Sequence, residues 1–378
     1  MGGPFSTTSP ATAAGADMGS HAIAPARVLR GPGAWASALP LLPSLLRRPL
    51  LLGRSAATEG LRQRLGAEAA AAGLEVRHAR LEHDCCETDL GRIAAEARGC
   101  DGILAVGGGK VLDAGKLLAD RLGLPCVTLP TSAATCAGWT ALANIYSPEG
   151  AFEGDVALAR CPELLIFDHA LVRQAPPRTL ASGVADAMAK WYEASVSSAS
   201  SSDGLVQQAV QMARVLRDQL LLDARDALAD PGGAAWERVA EGCALTAGLI
   251  GGIGGARCRT VAAHAVHNGL TQLAASHGHL HGEKVGFGIL VQLRLEELAG
   301  GSGLPAQARH QLIPFFRDLG LPTTLAELGL AGAPLEDLTA AAAFACRPGS
   351  DLHHLPFPVA VPDLLAALVS TSAERLPA

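Results

Sequence analysis

The 378-residue sequence predicts an α/β domain built on a parallel, Rossmann-like sheet over residues 23–175, followed by an all-helical domain over 176–378. Three observations carry that prediction. From about Ala26 to Phe167, short apolar runs alternate with helical patterns, as in a parallel sheet covered on both faces. After Arg173-Gln-Ala-Pro-Pro177, β-branched runs become scarce and long Ala/Leu-rich stretches with helical spacing follow. The length itself exceeds what one hydrophobic core usually serves.

The elements follow in chain order. Residues 1–22 are rich in Gly, Ser, Thr and Ala, without a basic start and apolar centre. They read as a disordered tail, not a signal peptide, and Met18 is an alternative start. Pro49–Gly53 is a buried strand and Thr58–Ala72 the helix after it. Gly102–Val106 is a second strand, feeding directly into three glycines, with a helix over Val111–Leu122. Pro125–Leu129 and Leu164–Phe167 complete the strands. Helical spacing then marks 179–197, 204–228, 234–252, 259–276, 284–299, 305–319 and 335–346.

Bulk composition excludes several classes. Hydrophobic residues make up 49% and charged residues 17%, which is a globular composition. A net charge of -6 without a Lys/Arg block argues against nucleic acid as a partner. The apolar stretch 244–256 is too short and Gly-rich to span a bilayer. Nine irregularly spaced cysteines without a Cys-x-x-Cys pair suit reduced thiols in a cytoplasmic protein.

Two features carry chemistry. In Gly107-Gly108-Gly109-Lys110, a strand runs through glycines into a helix, so the backbone can approach a pyrophosphate, with Lys110 adding a charge and Asp113 placed to cap the first turn. The spacing is not that of a Gly-x-Gly-x-x-Gly fingerprint. Downstream, five of twelve histidines fall between His264 and His281. His264 and His267 share a helix face, His281 opens a polar turn, and Asp186 sits in an apolar helix start where an unpaired carboxylate is costly. One Asp and two His suit zinc with an open fourth position. His277 and His279, in a short polar linker, read as groups without a ligand role.

These residues resemble the iron-containing alcohol dehydrogenase and glycerol dehydrogenase superfamily, whose fold is similar to that of dehydroquinate synthase. The carriers are Gly107-Gly-Gly-Lys-Val-Leu-Asp113, Leu129-Pro-Thr-Ser-Ala-Ala-Thr-Cys-Ala-Gly-Trp-Thr140, Ser182-Gly-Val-Ala-Asp186, Ala263-His-Ala-Val-His-Asn-Gly269 and His281-Gly-Glu-Lys284. Within that superfamily the chain most resembles the hydroxycarboxylate dehydrogenase A branch, through Ala134-Thr-Cys-Ala-Gly-Trp-Thr140, Leu321-Pro-Thr-Thr-Leu-Ala-Glu-Leu328 and His353-His-Leu-Pro356.

The resemblance implies metal ligands Asp186, His264 and His281. Lys190 stands where four-ligand iron members carry a His, which favours zinc, with Fe2+ the alternative. It implies cofactor contacts at Gly109, Lys110, Thr131, Thr140, Leu142 and Tyr146, beside Gly108 of the turn, and the loss of a serine contact at Ala134. Cys136 replaces a polyol-binding Asp of glycerol dehydrogenases. NAD-selective members carry an acid at the end of the second strand, where this chain reads Leu52-Gly53-Arg54-Ser55; NADP(H) is therefore admitted beside NAD(H), with Arg54 near the ribose. His267 and Cys136 are the candidate catalytic positions, and Arg257 or Arg259 a candidate for holding a substrate carboxylate. The implied activity is metal-dependent hydride transfer between NAD(P)H and a small carbonyl/alcohol pair, a 2-oxo/2-hydroxy acid first, glycerol/dihydroxyacetone second. A lyase of the dehydroquinate synthase type would need a Lys/Arg cluster that 131–146 lacks, and a non-catalytic nucleotide-binding scaffold would not need Asp186, His264 and His281 together. The expected partners are a small-molecule substrate and further copies of the chain, without nucleic acid or membrane.

Overall fold

The computed structural model describes residues 21–300 and 303–373, with side chains through Thr371; of the tail expected at 1–22, residues 1–20 lie outside the described residues. Six strands form one parallel sheet: β1 (Val28–Gly31), β2 (Pro49–Gly53), β3 (Arg77–Arg80), β4 (Gly102–Gly107), β5 (Cys126–Pro130) and β8 (Leu164–Asp168), ordered β1-β8-β5-β4-β2-β3. β2, β4, β5 and β8 are buried at every residue, as continuous apolar runs in a sheet covered on both faces should be. The sequence reading missed β1 and β3, the two edges, and also the antiparallel hairpin β6 (Leu142–Tyr146) and β7 (Phe152–Ala157).

Chain order reverses between β2 and β4, since β2 leads outward to β3 while β4 leads the other way to β5. The crevice outside the carboxyl ends of such strands is where open α/β sheets take their ligands. Gly107 ends β4, and the helix Gly109–Leu122 begins two residues later.

From Pro177 onward the chain is helical. The helices Pro177–Ser197, Ala262–Leu270 and His281–Leu298 pack on one another. Two glycines let them close up: a Cβ at Gly282 would stand 1.8 Å from Ser182 O, and one at Gly288 2.3 Å from Ala263 O. The helix expected over 259–276 is instead the shorter helix Ala262–Leu270 followed by a 3-10 turn at Ala274–Ser276, with another 3-10 turn at Ala256–Cys258 just before it. The break has a local cause. Val261 (φ -141°, ψ -121°) is non-helical, and its N–H is held by Glu193 Oε1 at 2.7 Å instead of by a preceding carbonyl. The stretch 234–252 contains a π-helical turn at Gly242–Thr246, and a final helix, Val361–Ala373, was not anticipated. One apolar cluster joins Leu165 and Phe167 of the sheet to Val184 and Met188 of the helical half. Among the described residues, no helix is long and apolar enough to cross a membrane.

Candidate active site

The sheet's switch point opens on a cleft of about 690 Å³ that extends to the helical half. Arg54 lines it from the end of β2, Gly108, Gly109 and Lys110 from the end of β4, and Thr131 from the end of β5. Cys136, Thr140, Leu142 and Tyr146 continue the same wall. Gly108 caps the Gly109 helix without a side chain across its end, which leaves first-turn N–H groups for an anion. Asp113 does not cap that helix. It lies inside it, accepting from Asn144 N at 3.2 Å and pairing with buried Lys116 at 3.1 Å. Lys116 in turn donates to Thr140 O at 2.9 Å and to Leu142 O, so a buried ion pair fixes the strand that carries two of the expected cofactor contacts.

At the opposite wall, Asp186, His264 and His281 each present a ligand atom, all within 4.8 Å of one another. His264 Nε2 lies 3.3 Å and His281 Nε2 3.6 Å from Asp186 Oδ1. The far nitrogens are engaged elsewhere. His264 Nδ1 is 2.6 Å from Glu193 Oε2, and His281 Nδ1 is 3.0 Å from His267 Nε2, whose own Nδ1 is 2.9 Å from Asn268 Oδ1. Reading each chain from its terminal acceptor puts a proton on every Nδ1, leaving both Nε2 atoms of His264 and His281 as free donors toward one point. That donor set fits a divalent ion.

Electrostatics agree with an anionic, ion-binding point. Burial alone would raise the Asp186 carboxyl, but Lys190, His264 and His281 outweigh it and hold it well below its ordinary value. Burial lowers His281 and, with the neighbouring His281 and Lys284 charges, puts His267 well below the ordinary imidazole value. At His264 burial opposes the charged ring, yet Glu193 and Asp186 prevail and raise it to about 9. Ligation of a divalent ion by His264 would require Nε2 to be free of that additional proton.

His267 is 2% exposed and stands behind His281, its Nε2 3.0 Å from His281 Nδ1. Arg257 is exposed, whereas Arg259 lines the cleft. His277 Nε2 is 2.7 Å from Thr271 O. A second His/Cys/Asp group, His83, Cys86 and Asp89, lies apart from this site, and Asp89 there is already engaged by Arg92 and the Glu82 and His83 N–H groups.

Comparison with known proteins adds the lineage. The family described as iron-containing alcohol dehydrogenase matches residues 25–169. An uncharacterized oxidoreductase of Synechocystis sp. is 56% identical over 305 residues, covering 80% of this chain and 79% of that protein. The chain belongs to the iron-containing alcohol dehydrogenase family. This dehydrogenase is also 36% identical over 300 residues to hydroxycarboxylate dehydrogenase A of Escherichia coli, covering 77% of this chain and 80% of the relative. A probable glycerol dehydrogenase from Sinorhizobium meliloti has the same fold, with a TM-score of 0.83 at 32% identity, covering 94% of this chain and 98% of that one. Membership makes the protein a metal-dependent, NAD-linked oxidoreductase of the alcohol/glycerol dehydrogenase kind.

Three residues of the dehydrogenase's site escaped the sequence reading. Glu193 is fully buried and accepts from Val261 N, His264 N and His264 Nδ1. A signal existed: Asp186, Lys190 and Glu193 recur at helical spacing along one face of an apolar helix. Glu283 accepts from Leu280 N at 2.8 Å and pairs with Arg178, fixing where the His281 helix starts. Asp84 pairs with both Arg54 and Lys110. Nothing in the sequence marks Asp84, because only the sheet order brings it against Arg54 and Lys110, which line the cleft.

Proposed function

We propose that the protein reduces small 2-oxo acids to 2-hydroxy acids with NAD(P)H, using zinc held by Asp186, His264 and His281, with Fe2+ the alternative. The observation that carries the substrate class is Arg259. It lines the cleft, and its Nε is buried without a hydrogen-bond partner. Buried Lys190 stands beside it, donating to Arg259 O at 3.0 Å with its Nζ 3.9 Å from Asp186 Oδ1. The pocket therefore offers two cations near the ligand cluster, and at 136 a thiol that burial pushes above its ordinary value and so keeps neutral. A substrate carboxylate suits that field and a forked guanidinium contact.

When bound, the ion would supply Lewis-acid polarisation of the carbonyl and the nicotinamide would supply the hydride. The chain's own residues do the rest. Arg259 binds and orients the carboxylate, which fixes the carbonyl face offered to the reductant. The Gly107–Lys110 turn and the free N–H groups of its helix hold the pyrophosphate. Glu193 and His267 keep His264 and His281 in their donor tautomers, acting through those rings without contacting substrate. The nine cysteines are all unpaired, which supports a reducing, cytoplasmic setting. A homo-oligomer is part of the same reading.

Glycerol and dihydroxyacetone are the second reading, favoured by the likeness to the Sinorhizobium meliloti protein. A panel of 2-oxobutanoate, 2-oxoglutarate, phenylpyruvate, simple aldehydes, dihydroxyacetone and glycerol, followed by nicotinamide absorbance, decides between them. Arg259→Ala is expected to lower kcat/KM for 2-oxobutanoate by about 10- to 100-fold, the scale of a lost charge-assisted contact, while moving neutral aldehydes little. If dihydroxyacetone or glycerol is turned over best, the second reading replaces the first.

A further inference from the structure

The loop that carries β3 into the helix Glu87–Glu96 gathers three metal-ligating side chains, His83, Cys86 and Asp89, at three-residue spacing. One ligand atom from each lies within 4.8 Å of the others, and the group shares no residue with Asp186, His264 and His281. A ring nitrogen, a thiol sulfur and a carboxylate oxygen are all donors that zinc accepts.

Each donor is incompletely engaged. His83 Nδ1 is buried without a hydrogen-bond partner among the described residues, although 39% of the side chain is exposed. It faces Asp89 Oδ1 at 3.5 Å, too long for a good hydrogen bond. Ligands about 2.0–2.2 Å from a tetrahedral ion stand about 3.3–3.6 Å apart, so this separation matches one edge of a zinc site. Asp89 Oδ2 accepts from Glu82 N at 2.7 Å and His83 N at 2.8 Å, and Oδ1 accepts from Arg92 at 3.1 Å. A carboxylate has four acceptor positions, so one remains, on the oxygen that faces His83. Cys86 is 1% exposed and occupies the capping position of the helix, yet its side chain makes no capping hydrogen bond. Cys85 packs with Leu81, Leu90 and Ile93, whereas Cys86 turns toward His83 and Asp89. The Arg92 charge does not bar a cation, because Glu96 at 2.8 Å and Glu82 at 3.7 Å share it with Asp89.

We propose that His83, Cys86 and Asp89 bind a second divalent cation, zinc by donor type, with water completing the tetrahedron on the exposed side of His83. Binding releases the thiol proton to solvent. The ion takes no part in hydride transfer. It braces a loop whose Glu82 lines the cleft, whose Asp84 pairs with Arg54 and Lys110, and whose Cys85 O accepts from Tyr146 N at 2.9 Å.

Cobalt(II) added to the metal-stripped, full-length protein tests the site, because the Asp186, His264 and His281 set contains no sulfur. Thiolate-to-cobalt charge-transfer absorption in the near ultraviolet therefore reports a cysteine ligand, and equilibrium dialysis against zinc counts ions per chain. Neither readout depends on turnover. The wild type is expected to show the band and to hold two zinc ions. Cys86→Ser should abolish the band and hold one ion. Because Cys86 is buried, the more exposed His83→Ala gives a second variant; losing a ligand should weaken this site by more than the about 10- to 100-fold that follows loss of a group behind a ligand. His264→Ala and Cys136→Ser, both at the cleft, should keep the band. A wild type without the band, a band that disappears in Cys136→Ser, or a band and second ion that persist in both Cys86→Ser and His83→Ala overturns the site.

Discussion

Glu193→Gln separates a metal-supporting carboxylate from a packing residue. In the wild type Oε1 accepts from Val261 N at 2.7 Å and His264 N at 3.0 Å, while Oε2 faces His264 Nδ1 at 2.6 Å. Glutamine can keep its oxygen on the two backbone N–H groups, the orientation that preserves two bonds for one. Its NH2 then faces His264 Nδ1, and the ring can satisfy that donor only by carrying its proton on Nε2. Nε2 is the atom that points at Asp186, so the substitution blocks ligation without removing a ligand or opening a cavity. Loss of a carboxylate behind a ligating histidine weakens metal affinity by about 10- to 100-fold, or about 1.4–2.8 kcal/mol. The assay is competitive titration of metal-stripped wild type and variant with zinc against a chromophoric chelator, with circular dichroism of the metal-free proteins checking that the fold persists. Zinc affinities agreeing within about threefold, under 1 kcal/mol, would refute the reasoning.

Three further outcomes follow from the same geometry. Burial raises the Glu296 carboxyl to about 7, with only the Gln292 amide opposing; its contribution is intact below the ordinary carboxyl range, is lost as pH rises to 7, and above that costs up to about 3 kcal/mol. Glu296→Gln should therefore stabilise the protein in urea at pH 8 and change nothing at pH 4, and a gain that is the same at both values contradicts the assignment. Gly282→Ala puts a methyl 1.8 Å from Ser182 O, between the helices bearing Asp186 and His281; a loss of about 1–3 kcal/mol in stability should come with weakened zinc binding, and retained affinity would mean the ligands sit on a more compliant frame. His267→Phe removes the acceptor of His281 Nδ1. It should weaken zinc by about tenfold and leave kcat little changed once zinc saturates, whereas a large loss of kcat at saturating zinc would restore a proton-relay role.

What the sequence disclosed and what it hid divide along a physical line. The strand Gly102–Gly107 was legible because it is buried on both faces, so nearly every residue is apolar and the run stops at glycines. The edge strand β3, Arg77-His-Ala-Arg80, buries only Ala79, which leaves neither an apolar run nor an alternation to read. The same reasoning explains the site. Asp186 stood out because a carboxylate inside an apolar helix is costly without partners, and Glu193, two turns along that face, is a second instance of the same signal, passed over because its partners lie on another helix. His264 and His267 show the opposite limit. Their three-residue spacing puts them on one side of a helix, but that side is shared between the cleft and the flank of His281, and periodicity does not divide it. Which histidine meets the ligand point is set by the helix His281–Leu298 lying against Ala263 across Gly288, a close approach between backbone positions far apart in the chain. Spacing along one element identifies groups that must find partners, and the contacts between elements decide which of those groups faces the chemistry and which holds its neighbour in place.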